Sequence, residues 1–159
     1  ALASLPPGPG GPDIEALRAD LALQEGDDAR ARRHCEAALR ARHDIGVLAR
    51  LAHLASRAGD SAGAEVLYGQ AEDELTAKEM RAFAWLQTQR GLLAFDRGRY
   101  AEAEERYARA ERAYSGDWRL AKHQAELLRA QGRFDEAASR YEDAALRRGL
   151  PAREVHEHR

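Results

Sequence analysis

Apolar positions along the chain recur at helical spacing. Ala103, Tyr107, Ala110 and Tyr114 follow i, i+4, i+7 and i+11, and Leu48, Leu51, Ala52 and Ala55 form a second stripe of the same kind. Side chains at these offsets share one face of an α-helix. Glycines at 26, 59, 98 and 132 fall between the striped stretches, where a left-handed turn residue ends one helix without a Cβ penalty. No proline occurs from Asp13 to Leu150, and β-branched and aromatic residues are scarce, which argues against sheets. The pattern predicts helical hairpins throughout.

The hairpins repeat. The stretch DRGRYAEAEERYARA at 96–110 matches AQGRFDEAASRYEDA at 130–144, with Gly98 over Gly132, Tyr100 over Phe134 and Tyr107 over Tyr141. The glycines step by 33, 39 and 34 residues, and three further columns keep those steps: Ala31, Ala64, Ala103, Ala137; then Cys35, Tyr68, Tyr107, Tyr141; then Ala38, Ala71, Ala110, Ala144. The first alanine column lies early in the second helix of each hairpin, where a larger side chain would hold the two helices apart. A hairpin of this size cannot bury its apolar face alone, so stacking four of them is expected to make one continuous core.

These columns resemble the tetratricopeptide repeat. Gly91, Gly98, Tyr100, Ala103, Tyr107 and Ala110 fill the family's small, glycine, aromatic, alanine, aromatic and alanine positions in the third unit, as do Ala125, Gly132, Phe134, Ala137, Tyr141 and Ala144 in the fourth. The first two units are degenerate, with Asp28 and Ser61 in the first aromatic column and Cys35 in the second. The tryptophan that the family places early in each unit is absent from all four. The resemblance covers about residues 12–151. It implies an all-α, right-handed superhelical solenoid of antiparallel hairpins with about eight helices.

The expected organisation is a flexible Pro/Gly-rich lead-in over 1–11, units over about 12–44, 45–78, 79–117 and 118–151, and a short capping helix or start of a further repeat over 152–159, with Pro151 a good first helical residue. The 39-residue step inserts five residues before the third unit. Thr76 and Glu79 read there as a capping box, predicting a longer helix over roughly 77–97. The chain does not begin with methionine. ALASLPPGPGGP therefore reads either as the mature start left by removal of a signal peptide or as a flexible lead-in, leaving cytoplasmic and exported locations both open.

Charge and chemistry narrow the functional classes. Net charge is −2, with 25 basic and 27 acidic residues, so no global basic field draws nucleic acid or an anionic membrane. Only Lys78 and Lys122 are lysines; the arginine bias suggests a GC-rich genome and a bacterial source. No apolar run is long enough to span a bilayer. The lone Cys35 excludes an internal disulfide and any multi-cysteine metal site, and it reads as a small core residue. His34 beside Cys35 diverges from it around the helix, so the two do not form a nucleophile–base pair. His156 and His158 would point to different faces of a helix. Phosphate-loop, GxSxG and HExxH signatures are missing. The expectation is no catalysis, no cofactor and no metal.

The resemblance further implies a concave groove lined by the first helix of each unit. Unit one would present Asp13, Ala16, Asp20 and Leu23; unit two Gly46, Ala49, His53 and Ser56, flanked by Arg50 and Arg57. Unit three would present Trp85, Thr88, Leu92 and Phe95, flanked by Gln89; unit four Arg119, Lys122, Glu126 and Arg129, flanked by His123. The expected peptide-contacting residues are Arg50, His53, Trp85, Gln89, Phe95, Arg119, Lys122, His123 and Arg129. A protein or peptide partner with an acidic end and a hydrophobic anchor would suit units two to four, with Arg119 and Lys122 on a carboxylate and Trp85 and Phe95 around the anchor. The leading expectation is thus a non-enzymatic peptide-binding scaffold. Two alternatives stand beside it: a structural module that associates with itself, and a docking or sensor domain of a longer regulator.

Overall fold

A computed structural model describes residues 11–149. Eight helices and no strands are found among the described residues, in two compact units divided between Leu75 and Thr76. The first unit holds α1 (Pro12–Gln24), α2 (Asp28–Ala41), α3 (Ile45–Arg57) and α4 (Ser61–Asp73). The second holds α5 (Met80–Phe95), α6 (Tyr100–Ala113), α7 (Trp118–Ala130) and α8 (Phe134–Arg147). In the first unit α1 pairs with α2 and α3 with α4, with α2 also against α3; in the second α5 pairs with α6 and α7 with α8, with α6 against α7.

Local chemistry sets each hairpin. Gly26, Gly59, Gly98 and Gly132 all take positive φ, between 70° and 82°. The residue after each glycine donates its N–H back to a carbonyl five residues earlier, as in Asp60 to Ala55 and Arg99 to Ala94, both at 2.9 Å. This pattern satisfies carbonyls that the helix end leaves without partners. Aspartates cap the helix starts. Asp27, Asp44, Asp60 and Asp117 accept from Arg30, Val47, Gly63 and Arg119 backbone N–H groups at 2.8–3.1 Å.

The repeat columns form the cores. Ala31, Ala64, Ala103 and Ala137 are buried, as are Cys35, Tyr68 and Tyr107. In the second unit Tyr107 packs among Ala84, Ala94, Ala103, Ala110, Leu120 and Leu127. Its ring lies directly on Gly91: a Cβ built there would sit 2.4 Å from Tyr107 Cε1. Tyr141, the last of that column, stays 37% exposed, since no described helix follows α8.

The inserted residues behave differently from expectation. Thr76 to Glu79 form a separate turn, with Glu79 N–H donating to the Thr76 carbonyl at 3.0 Å. The Thr76 N–H and hydroxyl both donate to the Glu79 carboxylate, at 2.8 and 2.9 Å. The Glu79 carboxylate thus makes the reach-back bond of a capping box to the Thr76 N–H, but the Thr76 hydroxyl turns to that carboxylate too, and the segment forms a turn; α5 begins only at Met80 and ends at Phe95. The lead-in expected over 1–11 lies, apart from Gly11, outside the described residues. The capping helix expected over 152–159, with His156 and His158, lies outside them entirely.

Candidate functional site

The first helices of the hairpins carry the residues expected to meet a partner. In the first unit, Arg50 on α3 grips Asp20 on α1 with a two-point fork, Nε to Oδ1 at 2.5 Å and Nη2 to Oδ2 at 2.8 Å. That fork is filled from within the unit. His53 is exposed one turn further on, whereas Ala49 is buried in the core.

In the second unit α5 presents Trp85, whose indole remains 43% exposed while Leu86, Gln87 and Thr88 beside it are buried. Thr88 turns inward, its hydroxyl donating to the Ala84 carbonyl at 2.8 Å, so it does not line the face as expected. Gln89 is half-buried, and Phe95 packs against Tyr100 with ring centroids 5.7 Å apart. On α7, Glu126 occupies two of the expected cations. Lys122 Nζ lies 3.6 Å from its Oε1, and His123 Nδ1 lies 3.0 Å from its Oε2, the imidazole stacking 6.4 Å from the Tyr107 ring. Arg119 and Arg129 are exposed and, among the described residues, have no carboxylate within ion-pair distance.

Sequence reasoning missed Trp118. At the first position of α7, its ring is flanked by two guanidiniums, Arg119 at 5.0 Å and Arg148 at 5.1 Å from the centroid. Nearby, Arg81 lies 4.8 Å over the Tyr114 ring, and Arg147 donates to the Ser115 carbonyl. The only signal in the sequence is an aromatic directly after a capping aspartate, which says nothing about the arginine arriving from α8. Also unforeseen is a cavity of about 250 Å³ among α6, α7 and α8, floored by Tyr107, Leu127 and Leu128 and rimmed by Glu104, Arg133 and Glu136. Arg133 spans that rim, 3.3 Å from Glu104 and 2.6 Å from Glu136.

The buried polar groups are structural in their surroundings. Burial works to raise the Glu15 carboxyl, but hydrogen bonds from His34 and Arg18 hold it below its ordinary value. Burial pushes the Cys35 thiol up to about 11, and the neighbouring His34 is turned to Glu15 at 2.7 Å. Among the described residues no group of three His, Cys, Asp or Glu is placed to hold a metal, and no helix is long and apolar enough to cross a membrane.

No protein-family model and no curated protein matches the chain. Solved structures do. The crystal structure of MamA is 15% identical with a TM-score of 0.67, over 88% of this chain and 80% of that one. PilF of Pseudomonas aeruginosa is 18% identical with a TM-score of 0.73, over 92% of this chain; the match spans 65% of the PilF chain. Both are tetratricopeptide-repeat proteins. This chain has the tetratricopeptide-repeat fold. At such identities the likeness is one of backbone, and it agrees with the eight helices, the glycine turns and the buried alanine columns described above.

Proposed function

We propose that the chain is a non-enzymatic scaffold that binds a polypeptide segment on the first-helix faces of its hairpins. The observation that carries this reading is Trp85: a large aromatic left 43% exposed on α5, beside the buried Leu86, Gln87 and Thr88. Exposed aromatics of this kind act as anchors in protein interfaces. Arg119 and Arg129 on α7 are the cations free to meet an acidic partner, while Lys122 and His123 would have to leave Glu126, and Arg50 would have to leave Asp20. The segment best suited is acidic with a hydrophobic anchor. In the second unit Gln89 and Phe95 complete the proposed contact set, and in the first unit His53 is the exposed residue proposed for its own first-helix face.

The test is capture from the native cell lysate by the wild-type chain beside Trp85→Ala and Lys122→Glu/Arg129→Glu variants, with light scattering to establish mass and folding. A partner lost by both variants and bound again as a purified segment supports the reading. A partner kept equally by all three removes these faces from it.

Self-association is the second reading, and a specific observation favours it. On α8, Phe134 is 68%, Leu146 55% and Tyr141 37% exposed. Mass that rises with concentration, and falls on Phe134→Ser substitution, would favour this alternative.

A further inference from the structure

Many arginines of this chain meet carboxylates, among them Arg18 with Glu15, Arg42 with Asp13, Arg57 with Asp28, Arg133 with Glu136, and Arg140 and Arg147 with Glu111. The turn joining α6 to α7 breaks that habit. Arg81 lies over the Tyr114 ring, and Arg119 and Arg148 lie on the Trp118 ring. None of these three has a carboxylate within ion-pair distance among the described residues. The nearby acids are already engaged. Asp117 accepts the Arg119 backbone N–H, and Glu111 and Asp143 hold Arg140 and Arg147.

The placement of two of these arginines runs against ordinary helix electrostatics. Arg81 and Arg119 are each the second residue of a helix, α5 and α7, and neither helix has an acidic residue in its first turn. A helix N-terminus carries partial positive charge and favours anions; the acid at each of these starts is its N-cap residue, Glu79 bonded to Thr76 and Asp117 bonded to the Arg119 N–H, and Arg81 and Arg119 add cations beside them. Ring faces hold guanidiniums by cation–π attraction without using their N–H groups as an ion pair with a carboxylate would. The result is three guanidiniums around one turn, each with the planar fork that a carboxylate can take at two points.

We propose that the α6–α7 turn, through Arg81, Arg119 and Arg148 braced on Tyr114 and Trp118, is a docking point for an acidic polypeptide segment. This rests on the scaffold reading above and gives the acidic part of the partner a place at the helix ends, separate from the anchor at Trp85. Charge complementarity selects an anion. A short run of carboxylates suits three forks gathered at one turn. A nucleic acid suits it less, because the ring faces on which bases would stack are already covered by arginine.

Trp85 and Trp118 are the only tryptophans, so each reports one place. The experiment titrates a Trp85→Phe protein, whose emission comes from Trp118 alone, with a short oligoglutamate peptide at low salt. A saturable change in emission is expected, with affinity falling about tenfold for each guanidinium removed in Arg81→Gln and Arg148→Gln, the size of one charge-assisted contact. Arg148→Lys should recover only part of the loss, since it restores charge without the fork. Circular dichroism on every variant establishes that it is folded, and the glutamine and lysine substitutions are mild enough to keep it so. Binding that leaves Trp118 and the arginine variants unaffected, but is seen by Trp85 in a Trp118→Phe protein, overturns this docking point and leaves the α5–α7 face in place. Tighter binding of oligothymidylate than of oligoglutamate overturns the choice of partner. No binding of oligoglutamate overturns the proposal, while the scaffold reading still stands or falls on its own capture experiment.

Discussion

Replacing Gly91 with alanine adds one methyl group, and the structure says where it goes. The new Cβ would sit 2.4 Å from Cε1 and 2.6 Å from Cδ1 of Tyr107. Carbon atoms rest at about 3.5–4.0 Å, so the ring must retreat by about 1 Å. It has nowhere to retreat: Tyr107 is 1% exposed and walled by Ala94, Ala103, Leu120 and Leu127. Overpacking of this kind costs about 1–3 kcal/mol, and a rigid ring between two backbones belongs at the upper end. Alanine gains about 1 kcal/mol over glycine inside a helix, leaving a net loss of about 2 kcal/mol. Gly69 in α4 supplies the control, because a Cβ there meets nothing within 4 Å. Gly69→Ala should therefore stabilise by about 1 kcal/mol. Urea unfolding followed by circular dichroism reads both, and tryptophan emission reads the second unit alone. Gly91→Ala should melt about 4–8 °C lower than wild type. Adding Tyr107→Leu should make the pair less harmful than the sum of the two changes. If Gly91→Ala stabilises as Gly69→Ala does, the close approach of ring to backbone is not what holds α5 against α6.

Three further outcomes rest on named groups. Glu15, held below its ordinary carboxylate value by His34 and Arg18, contributes stability that is present above that value and lost as pH falls through its folded one. The stability gap between wild type and Glu15→Gln should be about 2 kcal/mol near neutrality and close in acid; a gap constant with pH would contradict this account. The Cys35 thiol, buried and raised to about 11, should react with a thiol reagent only as fast as the first unit opens, so labelling at mildly alkaline pH should speed up sharply in urea. Asp60→Ala removes the cap on the Gly63 N–H and should cost about 1 kcal/mol by urea unfolding, with Asp60→Ser recovering most of it.

Backbone features were legible in the sequence because they are written in spacing. A glycine recurring once per hairpin marks a turn, and an alanine five residues later marks a close helix approach, whatever surrounds them. Gly98 with Ala103 and Gly132 with Ala137 show both. What depends on side chains crossing between helices was not legible. Thr88 falls at a face position by spacing yet turns its hydroxyl to Ala84, and Ala49 is drawn into the core. Thr76 and Glu79 have capping-box spacing and make its reach-back bond from the Thr76 N–H, but the Thr76 hydroxyl also goes to Glu79, and α5 starts only after them. Trp118 draws its importance from Arg148, which reaches it from just past the end of α8. Of the expected contact residues, Arg50, Lys122 and His123 turned out to be engaged by Asp20 and Glu126, pairings that a one-helix reading does not see.

The buried positions of this molecule are mostly alanine among the described residues. Where methyl groups line the cores they set helix separation by what is left out, so a handful of small residues per hairpin bears much of the constraint on how closely its helices approach. The remaining surface is then free to drift without disturbing the backbone. This accounts for a chain that shares its course with MamA and PilF while keeping only 15–18% of their residues. It also means that the outward side chains can be exchanged almost without limit while the helices keep their course, because the geometry is carried by the smallest residues.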